Sequence, residues 1–124
     1  MPVIGWKLDY SDRARLLKRF PPKWPDIVAD HITLDAQAGE RATLPGCVRG
    51  EIVGITSDSK GVQALVVAIE GDTARPDGST YHITWSIDRK QGRRPVDSNQ
   101  VIAEQGWEPV ADPIPIHIMP ARWG

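Results

Sequence analysis

One four-residue pattern occurs twice in this chain and constrains its fold more than any other feature. Residues 31–34 read His-Ile-Thr-Leu, and residues 82–85 read His-Ile-Thr-Trp. Because successive side chains of a β-strand point to opposite faces, the histidine and threonine share one face and the apolar residues share the other. Both segments are therefore predicted to be strands with a histidine–threonine pair opposite a buried apolar face. The alternative is two amphipathic strands whose outer faces are merely polar.

The remaining hydrophobic pattern predicts an α+β fold with a mostly antiparallel sheet. Strands are expected over residues 27–34, 48–56, 62–69, 80–87 and 113–119. The segment 62–69 is apolar on both faces and should be central, whereas the prolines in 113–119 restrict that strand to an edge. One helix is predicted from a cap at Ser11 or Asp12 to about Phe20, and another from Asp97 or Ser98 to about Gln105, closed by Gly106.

Length and composition predict one domain over residues 1–124, large enough to be stable without disulfides. The formal net charge of −1 excludes an overall attraction to nucleic acid or to anionic membranes, although basic residues cluster within 7–24 and 89–94. Cys47 is the single cysteine, so no disulfide framework can form within the chain. No apolar run approaches a membrane span and no signal peptide is recognisable, so a cytoplasmic location is expected.

Paired histidines and threonines in one cleft would suit the cleavage of a phosphodiester without a metal ion. One imidazole can remove a proton from the attacking water while the other protonates the leaving oxygen, because both titrate near neutral pH. Threonine hydroxyls can donate hydrogen bonds to the non-bridging phosphate oxygens, where charge accumulates. Ser86 follows on the same face as His82 and Thr84 and is expected to be a polar rim residue.

The two motifs resemble those of the 2H phosphoesterase superfamily. Within it, the chain is most similar to the cyclic phosphodiesterase domain of fungal-type tRNA ligases and to small bacterial RNA-repair-like relatives. The resemblance extends to Phe20-Pro-Pro-Lys-Trp-Pro25 before the first motif and to Pro95-Val96-Asp97-Ser98-Asn99 after the second, and it covers roughly residues 5–118. The spacing of 82 − 31 = 51 residues between the histidines is shorter than in many members.

That resemblance implies two pseudo-symmetric lobes of mostly antiparallel sheet around a central cleft, with helices outside. It implies an enzyme without metal or cofactor that opens a nucleotide or RNA-terminal 2′,3′-cyclic phosphate to a 2′-phosphate. His31 would be the general acid, His82 the general base, and Thr33 and Thr84 would hold the phosphate; the two histidine roles could be reversed. RNA ligase or kinase components would be partners supplied in trans.

Residues outside the two motifs include candidate substrate contacts and a third histidine. Candidate substrate contacts are Ser98, Arg93, Arg94, Tyr10, Trp24 and Trp6, and core packing is the more expected role for each of the three aromatic residues. His117 is expected to be a surface or edge-strand residue, and a zinc site formed by all three histidines lacks supporting spacing.

Two other functions use the same motifs. One is hydrolysis of a different substrate, such as a cyclic oligonucleotide signal or an ADP-ribose cyclic phosphate. The other is a non-catalytic module that binds RNA ends or nucleotides. Two intact motifs argue against the module, because binding alone does not require two proton carriers.

Overall fold

The elements of this chain follow its alternation of apolar strands with proline- and glycine-rich connections. The structure, a computed structural model, describes residues 2–124, so the predicted domain is described except for Met1. The strands are β1 Val3–Leu8, β2 Asp26–Ile27, β3 His31–Asp35, β4 Gly50–Ser57, β5 Val62–Ile69, β6 His82–Ile87, β7 Glu108–Ile116 and β8 Ile118–Trp123. The helices are α1 Tyr10–Arg19 and α2 Asp97–Gln105, with a short 3-10 turn at Arg89–Gln91.

Two antiparallel sheets confirm the predicted α+β class. A three-stranded sheet has the order β3-β1-β8, and a five-stranded sheet has the order β2-β6-β5-β4-β7. β5 is buried along its whole length in the middle of the larger sheet, and β7 is an edge strand, as its sequence predicts. Within residues 2–124, no helix has the length and apolar character that a membrane crossing requires.

The prediction of one continuous strand over residues 27–34 is wrong. Ile27 pairs with β6 in the larger sheet, whereas His31 pairs with β1 in the smaller one. The strand breaks at Ala29, whose φ of 43° is incompatible with an extended chain. Here the backbone N–H groups of Val28 and Ala29 donate to carbonyls of β6 at 3.0 and 2.9 Å. The chain thus crosses between the sheets immediately before the first motif.

Strands β1 and β8 were not predicted, and the edge strand differs from its predicted range. The chain leaves β7 at His117, where the backbone N–H donates to the Asp12 carboxylate and the carbonyl accepts from the Asp9 N–H. It then continues as β8 beside β1. These contacts with the start of α1 are long-range, so local sequence patterns do not reveal them.

The helix caps also differ from the prediction. Asp9, rather than Ser11 or Asp12, caps α1 by accepting from the Asp12 N–H at 3.0 Å. α2 starts at Asp97 after Val96, which makes no capping bond, and it ends at Gly106 as predicted. Ser98 lies inside the first turn of α2, and its hydroxyl is hydrogen-bonded to Thr84 rather than to the start of the helix.

One hydrophobic core joins both sheets. Trp6 and Ile32 of the smaller sheet pack in the same cluster as Leu65, Ile83 and Trp85 of the larger one. Trp85 is fully buried, which confirms that the apolar face of the second motif faces the core. Trp6 is buried and donates its indole N–H to the Gly46 carbonyl, so it is a core residue.

Candidate active site

The two histidine–threonine motifs line one cavity of about 230 Å³. His31 and Thr33 project from β3, and His82 and Thr84 project from β6. The crossing at residues 28–30 brings these strands together, because it is hydrogen-bonded to β6 and leads directly into β3. The cavity therefore lies where one sheet meets the other.

His31 is held by a carboxylate on one side and an indole on the other. Its Nδ1 lies 3.0 Å from Oδ2 of Asp30, and its ring centroid lies 4.7 Å from that of Trp123. Because a carboxylate accepts, Nδ1 carries the proton and Nε2 is the nitrogen left for chemistry. Asp30 also accepts from the Lys7 ammonium at 2.5 Å.

The Asp30 carboxylate and His31 change each other's pKa values. Burial alone would raise the pKa of Asp30, but the hydrogen bonds from Lys7 and His31 outweigh burial and lower it. Burial lowers the pKa of His31, and the hydrogen bond to Asp30 partly opposes that shift. Asp30 therefore favours the protonated imidazole of His31 at a site that otherwise disfavours it.

His82 lies in a different environment. It is 7 % exposed, and its Nδ1 donates to the Thr80 carbonyl at 2.8 Å, which leaves Nε2 unprotonated in the neutral ring. Burial lowers the pKa of His82 to about 4, and the positive charges of Arg75 and His31 act in the same direction. His82 is therefore a neutral proton acceptor at pH 7. The face of β6 that carries His82, Thr84 and Ser86 is buried as well as the face that meets the core.

The two threonines differ in what their hydroxyls can donate. Thr84 donates to the Pro95 carbonyl at 3.0 Å, and since its one hydroxyl proton is used there, it accepts from Ser98 Oγ at 2.9 Å. Within residues 2–124, the hydroxyl of Thr33 has no hydrogen-bond partner, and the residue is only partly buried. The hydroxyl of Thr33 is free to donate a hydrogen bond to a ligand, whereas the hydroxyl proton of Thr84 is donated to the loop before α2.

Arg75 and Asn99 also line this cavity, and sequence reasoning missed both. Arg75 is 7 % exposed and donates to Ser79 Oγ at 3.0 Å and to Asn99 Oδ1 at 3.3 Å. The sequence signal for it is Arg-Pro-Asp-Gly at 75–78, a turn pattern placed shortly before the second motif.

The remaining predicted contacts do not line this cavity in the described part of the chain. Ser98 lies behind Thr84 and is wholly buried. Arg93 pairs with Asp58 at 2.8 Å, and Arg94 lies near Asp97. Tyr10 is 85 % exposed on α1. Trp24 is partly buried, and its backbone N–H donates to Ser86 Oγ, so Ser86 is an interior hydrogen-bonding residue rather than a rim residue.

The described residues form no cluster of metal ligands. Among residues 2–124, no three His, Cys, Asp or Glu side chains converge as metal ligands. His117 lies at the β7–β8 junction, where its Nδ1 is 2.9 Å from Asp12 Oδ2. That position separates it from the cavity that His31 and His82 line.

A larger cavity of about 380 Å³ lies against Phe20, Gln63 and Trp107. It is lined by none of the motif residues and by no histidine. The smaller cavity is the better candidate because it brings together two histidines with lowered pKa values and a buried arginine.

Comparisons with known proteins identify no relative: no family model, no curated protein and no solved structure matches this chain.

Proposed function

We propose that this chain is a metal-independent phosphodiesterase of the 2H type. Its substrate would be a nucleotide or RNA-terminal 2′,3′-cyclic phosphate, and its product a 2′-phosphate. The observation that carries the proposal is the convergence of both histidine–threonine motifs on one cavity. In this proposal the two sheets act as the two lobes and the cavity between β3 and β6 is the catalytic cleft.

The different environments of the histidines favour one assignment of roles. His82 is neutral with Nε2 unprotonated, so it would take the proton from water as the water attacks phosphorus. The bond from phosphorus to the 3′-oxygen breaks, and His31 would donate its proton to that oxygen. Asp30 supports this role because it stabilises the protonated imidazole. The products are a 3′-hydroxyl and a 2′-phosphate.

The non-catalytic module is less favoured by the same observations. A binding site needs hydrogen-bond donors and positive charge, but it does not need one neutral and one carboxylate-paired histidine at the same cavity. RNA ligase or kinase partners and a cytoplasmic location remain part of the proposal.

The test is turnover of 2′,3′-cyclic AMP and of a short RNA with a 2′,3′-cyclic end, measured in EDTA. His31→Ala and His82→Ala should each lower kcat by ~10²–10⁴-fold, because each removes a positioned proton carrier. His117→Ala is the matched control, since this histidine lies outside the cavity and should leave turnover unchanged. Phosphorus NMR of the product identifies which oxygen keeps the phosphate.

Two results would overturn the proposal. One is full activity in both cavity variants. The other is a folded wild-type protein that turns over neither substrate. Hydrolysis of a cyclic oligonucleotide or an ADP-ribose cyclic phosphate alone would retain the mechanism and replace the substrate.

A further inference from the structure

Arg75 places a positive charge at the candidate active site without a counter-ion. It lines the cavity with both motif histidines and is 7 % exposed. Arginine is almost never this buried unless it is paired with an anion. Within residues 2–124, no carboxylate lies within ion-pair distance of its guanidinium.

The hydrogen-bond partners of Arg75 are neutral oxygens. They are the Ser79 hydroxyl, the Asn99 side-chain carbonyl and the Thr80 backbone carbonyl, at 3.0, 3.3 and 3.4 Å. Its Nε is buried and has no partner in the described part of the chain. Asp77 acts on Arg75 through space and accepts from the Ser79 hydroxyl that Arg75 contacts, but it makes no ion pair with Arg75. The guanidinium is thus oriented but its charge is not neutralised.

The surrounding backbone holds Arg75 in place before any ligand binds. Gly78 N–H donates to the Arg75 carbonyl at 2.8 Å, closing a turn, and Arg75 N–H donates to the Ser79 carbonyl at 2.7 Å. Asn99 Nδ2 donates to the Val96 carbonyl at 3.0 Å, which orients Oδ1 toward the guanidinium. Asn99 is therefore a positioning residue for Arg75.

We propose that Arg75 binds the non-bridging phosphate oxygens of the substrate and, with Thr33, is the main phosphate ligand of this site. This inference rests on the proposed function and changes the symmetric role that the repeat suggests for Thr84, whose hydroxyl proton is donated to Pro95. A planar guanidinium matches two phosphate oxygens at once. The ligand class is a nucleotide carrying a ribose-attached phosphate, and the unphosphorylated nucleoside lacks the group that Arg75 recognises.

The first experiment measures binding of 2′-AMP and of adenosine by calorimetry to the wild-type protein and to Arg75→Met. Loss of a charge-assisted hydrogen bond should weaken 2′-AMP binding by about 10–100-fold and leave adenosine binding unchanged. Arg49→Met is the matched control, because it removes the same charge from an exposed residue outside this cavity. Equal 2′-AMP affinity in Arg75→Met and the wild type would overturn the inference, as would a wild-type protein that binds no 2′-AMP.

A second variant separates a binding role from a structural one and does not depend on the folding of Arg75→Met. Asn99→Asp has nearly the same shape and supplies a carboxylate against Arg75. It loses the hydrogen bond that Asn99 Nδ2 donates to the Val96 carbonyl, but its carboxylate lies against the guanidinium and should weaken 2′-AMP binding by a similar factor, because it competes with the phosphate for Arg75. A folded Asn99→Asp variant with unchanged 2′-AMP affinity would assign Arg75 a structural role only.

Turnover of 2′,3′-cyclic AMP, measured on the same variants, distinguishes this inference from the proposed function. Wild-type turnover with an unaffected Arg75→Met would reject the inference and leave the function standing. Absent wild-type turnover, with 2′-AMP binding that depends on Arg75, would reject the hydrolase and leave a nucleotide phosphate-binding site at this cavity.

Discussion

His31 and His82 hold equivalent positions in the repeat but have different surroundings at the level of single residues. The ring of His31 is hydrogen-bonded to a charged carboxylate, whereas the ring of His82 is hydrogen-bonded to a backbone carbonyl and almost completely buried. A carboxylate stabilises the imidazolium, and burial destabilises it. The sequence left the acid and base roles interchangeable, and under the proposed mechanism these contacts favour His31 as the acid and His82 as the base.

The buried His82 should make stability depend on pH. Its pKa is about 4 in the folded protein and 6.5 in the unfolded chain, so between these values the unfolded chain binds more protons. Stability is then complete above pH 6.5 and falls as the pH drops toward 4, by about 3 kcal/mol in total. Urea unfolding at pH 7 and pH 4.5 should show a smaller loss in His82→Gln than in the wild type. An identical loss in both would contradict the burial argument.

Asp30 should control the alkaline limb of the activity profile. The general base must be unprotonated and the general acid protonated, so kcat/KM should peak between the pKa of His82, about 4, and that of His31, which is below 6.5. Asp30→Asn removes the carboxylate that raises the pKa of His31, so the alkaline limb should move to lower pH while the acid limb stays. Asp35→Asn, at the exposed far end of the strand that begins with His31, is the control. A shift of the acid limb instead would reverse the two histidine roles.

At the scale of secondary-structure elements, the position of β3 determines where His31 and Thr33 lie in the cavity. β3 pairs with β1 through a register that shifts between Ile4 and Gly5, and Gly5 lies opposite Thr33. A Cβ added at Gly5 would lie 2.1 Å from the Ile32 carbonyl oxygen, which is backbone and cannot rotate away. The absence of a side chain at Gly5 therefore permits the close approach of β1 to the strand that carries His31 and Thr33.

Gly5→Ala should consequently damage both stability and activity. The two strands must separate to admit the methyl group, at a cost of about 1–3 kcal/mol, and His31 and Thr33 would move with β3. Gly39→Ala is the matched control, because a Cβ there meets nothing within 4 Å. Thermal unfolding and kcat/KM should change in the first variant and stay near wild type in the second. A fully active Gly5→Ala would show that the site does not require this strand contact.

At the scale of the whole molecule, the two sheets share one core and should unfold together. Ile32 belongs to the smaller sheet and Leu65 to the larger one, and both are fully buried in one cluster. The site lies at the junction of the sheets, so its geometry depends on that shared core.

Ile32→Ala and Leu65→Ala should each lower the free energy of unfolding by about 2–5 kcal/mol, because each leaves a cavity. In both variants, tryptophan fluorescence and far-ultraviolet circular dichroism should follow the same single urea transition. Two separate transitions, with one sheet unfolding first, would show that the sheets are independent units.

Local pattern was sufficient for the α+β class, for β5 and β6, for the end of α2 and for the extended conformation of residues 31–34, but not for the break at Ala29 before them. These features depend on the period of the apolar residues and on glycine and proline, which act over a few residues. The pairing of β1 with β8, the sheet crossing at Ala29 and the Asp12–His117 contact join residues far apart in sequence. Periodicity within a segment carries no information about such contacts.

The sequence by itself determined that each histidine and its threonine share one face of a strand opposite the apolar residues, because side chains alternate along a strand. The tertiary structure decided what surrounds them. It buried His82, paired His31 with Asp30, tied Thr84 to Pro95 and brought Arg75 into the cavity. The sequence specifies the identity of each side chain. Its protonation state and its free hydrogen-bonding capacity depend on burial and on neighbours that only folding brings together.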